Sequence, residues 1–425
     1  MVEFPRMLLV RQHFPSKAIP DVAAEVRRVL AGSGFAQRVK RGARVAIGVG
    51  SRGIDNLPVI VRGVVDYWKE AGASPFIFPA MGSHGAATAE GQAEVLARYG
   101  VHESAMGCPV ISRLDAVLFG HTPSGIETFL DRTAYESDGV MLVARVKWHT
   151  DFAGRIESGL FKMMAIGLGK YAGAQVYHAF GHRLGLEAVI RSVGRQVLST
   201  GKIAGGLAIL EDAWHEVAHV EFVPAEAMEA REEELLEQVK SWMPRLPVDH
   251  IDLLLVDEIG KNWSGSGMDP KIINRDIHGN VNPWPFAPKV GRVIARGLHP
   301  LSYGNAIGIG MADAVHQWLV RAMRRRPTYV NGLTSGALAC LKIPATFRSD
   351  RECLTALARS TGCLRAEDLR LAWIRNTQDL TVVALSENLL EEALARPHVE
   401  LVQPPKPLEF SEQGDLREWL QNRDL

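Results

Sequence analysis

Arg44-Val-Ala-Ile-Gly-Val-Gly-Ser-Arg-Gly53 opens with an apolar run, rich in β-branched residues, that ends at Gly50. The run predicts a buried strand from Arg44 to Val49, and the small residues after it predict a tight loop. Pro58 to Ala71 then carries apolar residues on one helical face and stops at Gly72, and Pro75 to Pro79 reads as a second strand. Strand, loop, helix and strand in that order call for a parallel crossover. The fold class is therefore α/β, with mainly parallel sheets covered by helices. Thr88 to Tyr99 reads as another helix and Gly139 to Val146 as another buried strand. Ala225 to Met243 is helical and charged until Pro244 and Pro247 break it, and Ile251 to Val256 begins a new strand. A length of 425 residues is too great for one ordinary core, so two domains are expected. The first spans residues 1–247 and the second 248–385, where Thr381 to Leu385 reads as the last strand. The segment 386–425, Pro-rich from Gln403 to Pro407, reads as a tail that folds back on the first domain.

Composition narrows the function. Lys plus Arg and Asp plus Glu each number 48, which argues against nucleic acid or an anionic membrane as the main partner. Apolar stretches such as Ile251 to Val256 fall far short of the roughly 20 residues that span a bilayer. Met1 to Arg11 lacks the apolar core of a signal peptide. Cys108, Cys340, Cys353 and Cys363 show neither CxxC pairing nor zinc-like spacing, so buried, reduced thiols in a cytoplasmic protein are expected.

Ligands of open parallel sheets sit in the loops after the strands. In Gly48-Val-Gly-Ser51-Arg52-Gly53 the small residues let backbone N–H groups approach an anion, and Arg52 can fork onto a carboxylate or phosphate. A plain glycine turn with a surface arginine reads the same way. Gly82-Ser-His84-Gly85 sets a histidine between small residues, either as a hydrogen-bonded turn residue or as an accessible acid/base group. From Val146 the chain runs through His149, Ser158-Gly159-Leu-Phe-Lys162 and Met163 to Tyr177-His178, sixteen residues beyond Lys162. One alternative is a helix from Met163 to Leu168 with an incidental lysine and histidine. Another is a phosphate loop at Gly167-Leu-Gly169-Lys170, but it lacks the four-residue spacer and the following Ser or Thr. Gly308-Ile-Gly310 lacks the third glycine of a dinucleotide fingerprint.

The run His149-Thr-Asp-Phe-Ala-Gly, through Ile156-Glu-Ser-Gly-Leu-Phe-Lys162-Met-Met to Ile166-Gly-Leu-Gly-Lys170 and His178, resembles the nickel-pincer-nucleotide lactate racemase superfamily. The likeness continues in Asp257-Glu-Ile-Gly-Lys261-Asn262, Ser264-Gly-Ser-Gly-Met-Asp269-Pro270 and Gly308-Ile-Gly-Met-Ala-Asp313, and so covers roughly residues 40 to 385. It implies an isomerase, a racemase or epimerase of a 2-hydroxy acid, with its active site in the cleft between the two domains. The implied cofactor is a pyridinium mononucleotide whose two sulfur-bearing arms and a ring carbon hold nickel. It implies a covalent tether at Lys162, a nickel ligand at His178, and acid/base groups at His84 and His149 on opposite faces of the substrate. Ser51 and Arg52 would help hold the anionic ligand, and Lys261 and Asp269 would contact the cofactor from the second domain. The implied partners are the small-molecule substrate and the cofactor's biosynthetic proteins. The stretch from His149 to Lys162 is longer than in the lactate racemases, and no aspartate stands three positions before Arg52. Both departures point to a substrate other than lactate. Two other readings stand beside this one: the same cofactor serving an elimination, and a binding protein without turnover.

Overall fold

The computed structural model describes residues 4–51, 53–417 and 419–420. The chain divides into two compact units, Pro15–Met243 and a second made of Pro244–Leu425 with the N-terminal segment Met1–Phe14. Both are mixed α/β units with mainly parallel sheets flanked by helices. Among the described residues, no helix is long and apolar enough to cross a membrane. Cys108, Cys340 and Cys353 are buried and Cys363 is half-buried.

In the unit 15–243 a five-stranded sheet runs in the order Ser74–Pro79, Arg44–Val49, Gly139–Arg145, Ile203–Glu211, Val217–Pro224. The first four strands are parallel and the last is antiparallel. These strands read as continuous apolar runs because both faces are covered. Ala46, Phe78, Leu142 and Ala144 pack with Phe161, Met164, Tyr177 and Leu235 on one face. Val45, Ile47, Met141 and Val143 pack with Val61, Val64 and Trp68 on the other. Helix Leu57–Glu70 forms the second layer because Leu57, Ile60, Val61, Val64, Val65 and Trp68 recur at helical spacing on its buried side. After Arg44–Val49 the chain crosses to one neighbour, Ser74–Pro79, and then returns to the other, Gly139–Arg145. The reversal puts a topological switch point between the loop at Gly50–Ser51 and the loop at Lys147–His149, where open α/β sheets bind ligands.

The second unit holds an eight-stranded sheet in the order Ala345–Phe347, Ala314–His316, Lys289–Leu298, His250–Ile259, Leu371–Ile374, Val382–Ser386, Met7–Gln12, Val399–Lys406. Here the structure departs from the sequence boundaries. Met7–Gln12, expected in the first domain, pairs antiparallel with both Val382–Ser386 and Val399–Lys406. The segment 386–425, expected to pack on the first domain, therefore supplies an edge strand to the second. Pro404 and Pro405 are accommodated because an edge strand needs ladder donors on only one side, and the register shifts beside them.

Candidate functional site

Lys162 ends the short helical turn Leu160–Lys162, which runs into a π-helical turn, Met163–Gly167. The Leu168 N–H bonds back to the Met163 carbonyl at 2.8 Å, five residues away. The chain then breaks at Lys170, whose φ of +55° lies in the left-handed region, before helix Lys170–Leu184 begins. In one unbroken α-helix, sixteen residues would separate Lys162 from His178 by about 24 Å. The π turn and the left-handed Lys170 interrupt that helix, and the Lys162 charge acts on the His178 imidazole. Burial pushes the half-buried His178 imidazole below its usual pKa, and the nearby Lys162 ammonium adds to the shift. Asp151 opposes it, while His182 contributes in the same direction as Lys162. His178 is thereby held neutral, the form that ligates metal. His182, four residues on, is exposed.

The start of the Lys162 turn is held from outside. Glu232, fully buried on helix Met228–Trp242, accepts the Phe161 N–H at 2.9 Å, and burial raises its carboxyl pKa to about 7. The turn has no side-chain cap of its own, so this carboxylate serves its orphan donors.

His149 follows the strand Gly139–Arg145 and is half-buried. Its loop is closed on three sides. Lys147 and Ser158 exchange backbone hydrogen bonds at 3.0 and 3.1 Å. Buried Glu157 accepts the His149 and Gly154 N–H groups and pairs with Lys240 at 3.1 Å. Glu187 accepts the Arg155 and Ile156 N–H groups at 3.0 and 3.1 Å. The residues between His149 and Lys162 thus form a built loop rather than slack. The His149 ring packs on Phe152 with centroids 4.6 Å apart, and its Nδ1 accepts the Asp151 N–H at 3.1 Å. Neutral His149 therefore carries its proton on Nε2, and forming the imidazolium requires the Asp151 contact to open.

His84 is exposed, on the turn after the strand Ser74–Pro79. The backbone leading to it lies against the Lys162–His178 segment. A Cβ on Gly82 would stand 2.9 Å from the Ala174 Cβ and 3.2 Å from Ile166. A Cβ on Gly167 would meet the Ala80 carbonyl oxygen at 2.9 Å. Side chains at either position would separate the loop from the π turn. Half-buried Ser51 follows Gly50, which faces Met163; Arg52 lies outside the described residues.

Lys261 and Asp269 lie in the other unit. The Lys261 ammonium donates to Asn331 Oδ1 at 2.5 Å and to the Gly265 carbonyl at 3.3 Å. Asp269 caps helix Pro270–Ile273 by accepting the Lys271 N–H at 2.9 Å. In this structure both side chains hold their own loop together.

Three contributors carried no role in the sequence reading. Asp151 was part of the motif, but nothing in its spacing placed it near His178. Lys170 looked like the lysine of a failed phosphate loop. Glu232 had a usable signal, because it falls on the apolar stripe Met228, Leu235, Leu236 and Val239.

No family model and no curated protein matches the sequence. Among solved structures, a Thermotoga maritima protein is similar with a TM-score of 0.49 and 12% identity, over 76% of this chain and 83% of that one. The lactate racemase apoprotein from Thermoanaerobacterium thermosaccharolyticum is similar with a TM-score of 0.45 and 14% identity, over 83% of this chain and 91% of its own.

Proposed function

We propose that this chain is a racemase or epimerase that inverts the hydroxyl-bearing carbon of a 2-hydroxy acid, using a nickel-pincer nucleotide held by Lys162 and His178. The observation that carries the reading is the packing of the motif segments: Gly82, before His84, lies against Ala174 and Ile166, and Gly50, before Ser51, lies against Met163, all within the stretch that carries Lys162 and His178. The donor set fits such a group, with a half-buried amine for the tether and a histidine kept neutral for nickel. Bound there, the group would supply a two-electron acceptor for the α-hydrogen, whose direct removal as a proton is slow. The protein's own share is proton transfer. One of His84 and His149 takes the hydroxyl proton, and the other returns a proton to the oxygen after the opposite face has been presented. Two histidines serve because the enantiomers point their hydroxyls in different directions. Ser51 and Arg52 are assigned to the anionic ligand, and Lys261 and Asp269 to contacts with the cofactor.

The ligand assignment has a direct test. His178→Ala is expected to lose bound nickel and its visible absorption, whereas His182→Ala keeps most of both. Metal analysis and absorption spectra of the two variants, produced with the cofactor's biosynthetic proteins, decide it. Loss in His182→Ala alone would overturn the sixteen-residue register.

A further inference from the structure

We propose that Lys170 is a positioning residue: its buried ammonium ties the loop that carries His84 to the segment that carries Lys162 and His178. The catalytic meaning of this tie rests on the proposed function; the tie itself does not. Lys170 is fully buried, and its ammonium has a donor for each of three neighbours. It donates to the Pro79 carbonyl at 2.8 Å and to Gln92 Oε1 at 2.6 Å, and it faces Asp131 Oδ2 at 3.7 Å. Gln92, also fully buried, turns its amide to the His84 side and donates to the carbonyls of Met81 at 3.3 Å and Gly82 at 2.9 Å. One cation thus reaches the backbone at Pro79 directly and at Met81 and Gly82 through Gln92. It does so from a point midway between Lys162 and His178 in the chain.

Stability alone does not account for a lysine at this point. Taking an ammonium and a carboxylate out of water is costly, and an apolar pair of the same volume would often serve the core as well. Burial lowers the Lys170 pKa to about 8 and raises that of Asp131, so desolvation outweighs their attraction. What an apolar pair cannot do is orient three carbonyls of the loop, those of Pro79, Met81 and Gly82. The Asp131 N–H also donates to the Leu168 carbonyl at 2.6 Å, which fixes the acid to the end of the π turn. The left-handed φ of Lys170 falls on the same residue, at the first position of helix Lys170–Leu184, so a strained backbone and a buried cation coincide there.

Lys170→Met keeps the length and removes the donors; Gln92→Met removes the relay and leaves the charge pair. Hydrogen–deuterium exchange of the cofactor-free chain is expected to speed up about tenfold or more across residues 79–88 in both variants, a local opening. Exchange in the strands Arg44–Val49 and Gly139–Arg145 should stay unchanged. In chains produced with the cofactor's biosynthetic proteins, adduct and nickel content should hold while turnover falls about 100-fold, the cost of displacing a reacting group by roughly an ångström. Unchanged exchange over 79–88 in both variants overturns the proposal, as does a released loop with full turnover. If Lys170→Met does not fold, Gln92→Met decides alone. If the unsubstituted chain takes up cofactor yet inverts no hydroxy acid, the proposed function fails while the exchange measurement still decides the tie.

Discussion

Intact-mass analysis of the chain produced with the cofactor's biosynthetic proteins is expected to show a covalent adduct, and Lys162→Ala is expected to abolish it. The motif contains two lysines, and the structure separates their uses. Lys170 is fully buried with its ammonium engaged, so it has no path to an incoming electrophile. Lys162 is half-buried, at the end of the turn whose Phe161 N–H is held by Glu232 and just before the π turn Met163–Gly167. π turns recur at functional sites because the extra residue re-aims a side chain. Burial, with the Lys162 cation adding to it, lowers the His178 pKa and favours the neutral imidazole. An adduct of unchanged mass and amount in Lys162→Ala would move the tether elsewhere. Protein made without the biosynthetic proteins should be folded and inactive.

The second large effect concerns His84 and His149. Alanine at either position is expected to lower turnover by roughly 100- to 10,000-fold, the usual worth of positioned acid/base catalysis. Nickel and adduct content should remain near normal. Both directions of the reaction must fall equally, as detailed balance demands, whereas single-turnover oxidation of the two enantiomers should separate the variants. His84 is exposed, so His84→Ala should change stability by no more than about 0.5 kcal/mol in urea denaturation. A fully active but less stable His84→Ala would make it a turn residue and nothing more. At His149 the Asp151 N–H bonded to Nδ1 adds a constraint, because taking up a proton to form the imidazolium must open that contact.

Much of this was legible in the amino-acid sequence, and the reasons differ by element. Arg44–Val49 and Leu57–Glu70 emerge where periodicity placed them, since a strand covered on both faces and an amphipathic helix leave strong local patterns. The pairing of Met7–Gln12 with Val399–Lys406 left no such trace, because the partners lie nearly the whole chain apart. The Pro-rich run from Gln403 to Pro407 pointed to a tail folded back on the first domain, yet an edge strand tolerates its prolines. In the site, the motif carried Lys162 and His178 into the reading, but not the means by which they meet. The segment between them holds a π turn and a left-handed lysine, and the loop of Ala80 and Gly82 packs on it at Gly167, Ile166 and Ala174. Lys170 was legible as a residue and illegible as a buried one, because burial of a cation depends on carbonyls contributed from other elements.

The central claim, inversion by removal and return of the same hydrogen, is tested most directly with α-deuterated substrate. A single enantiomer of an α-deuterated 2-hydroxy acid is incubated in ordinary water with the cofactor-loaded chain, and the products are separated by chiral chromatography with mass detection. The account predicts inverted product that keeps its deuterium at the α-carbon. Inverted product that has exchanged its deuterium for solvent hydrogen, or no inversion of any acid in the series by fully loaded protein, would contradict it.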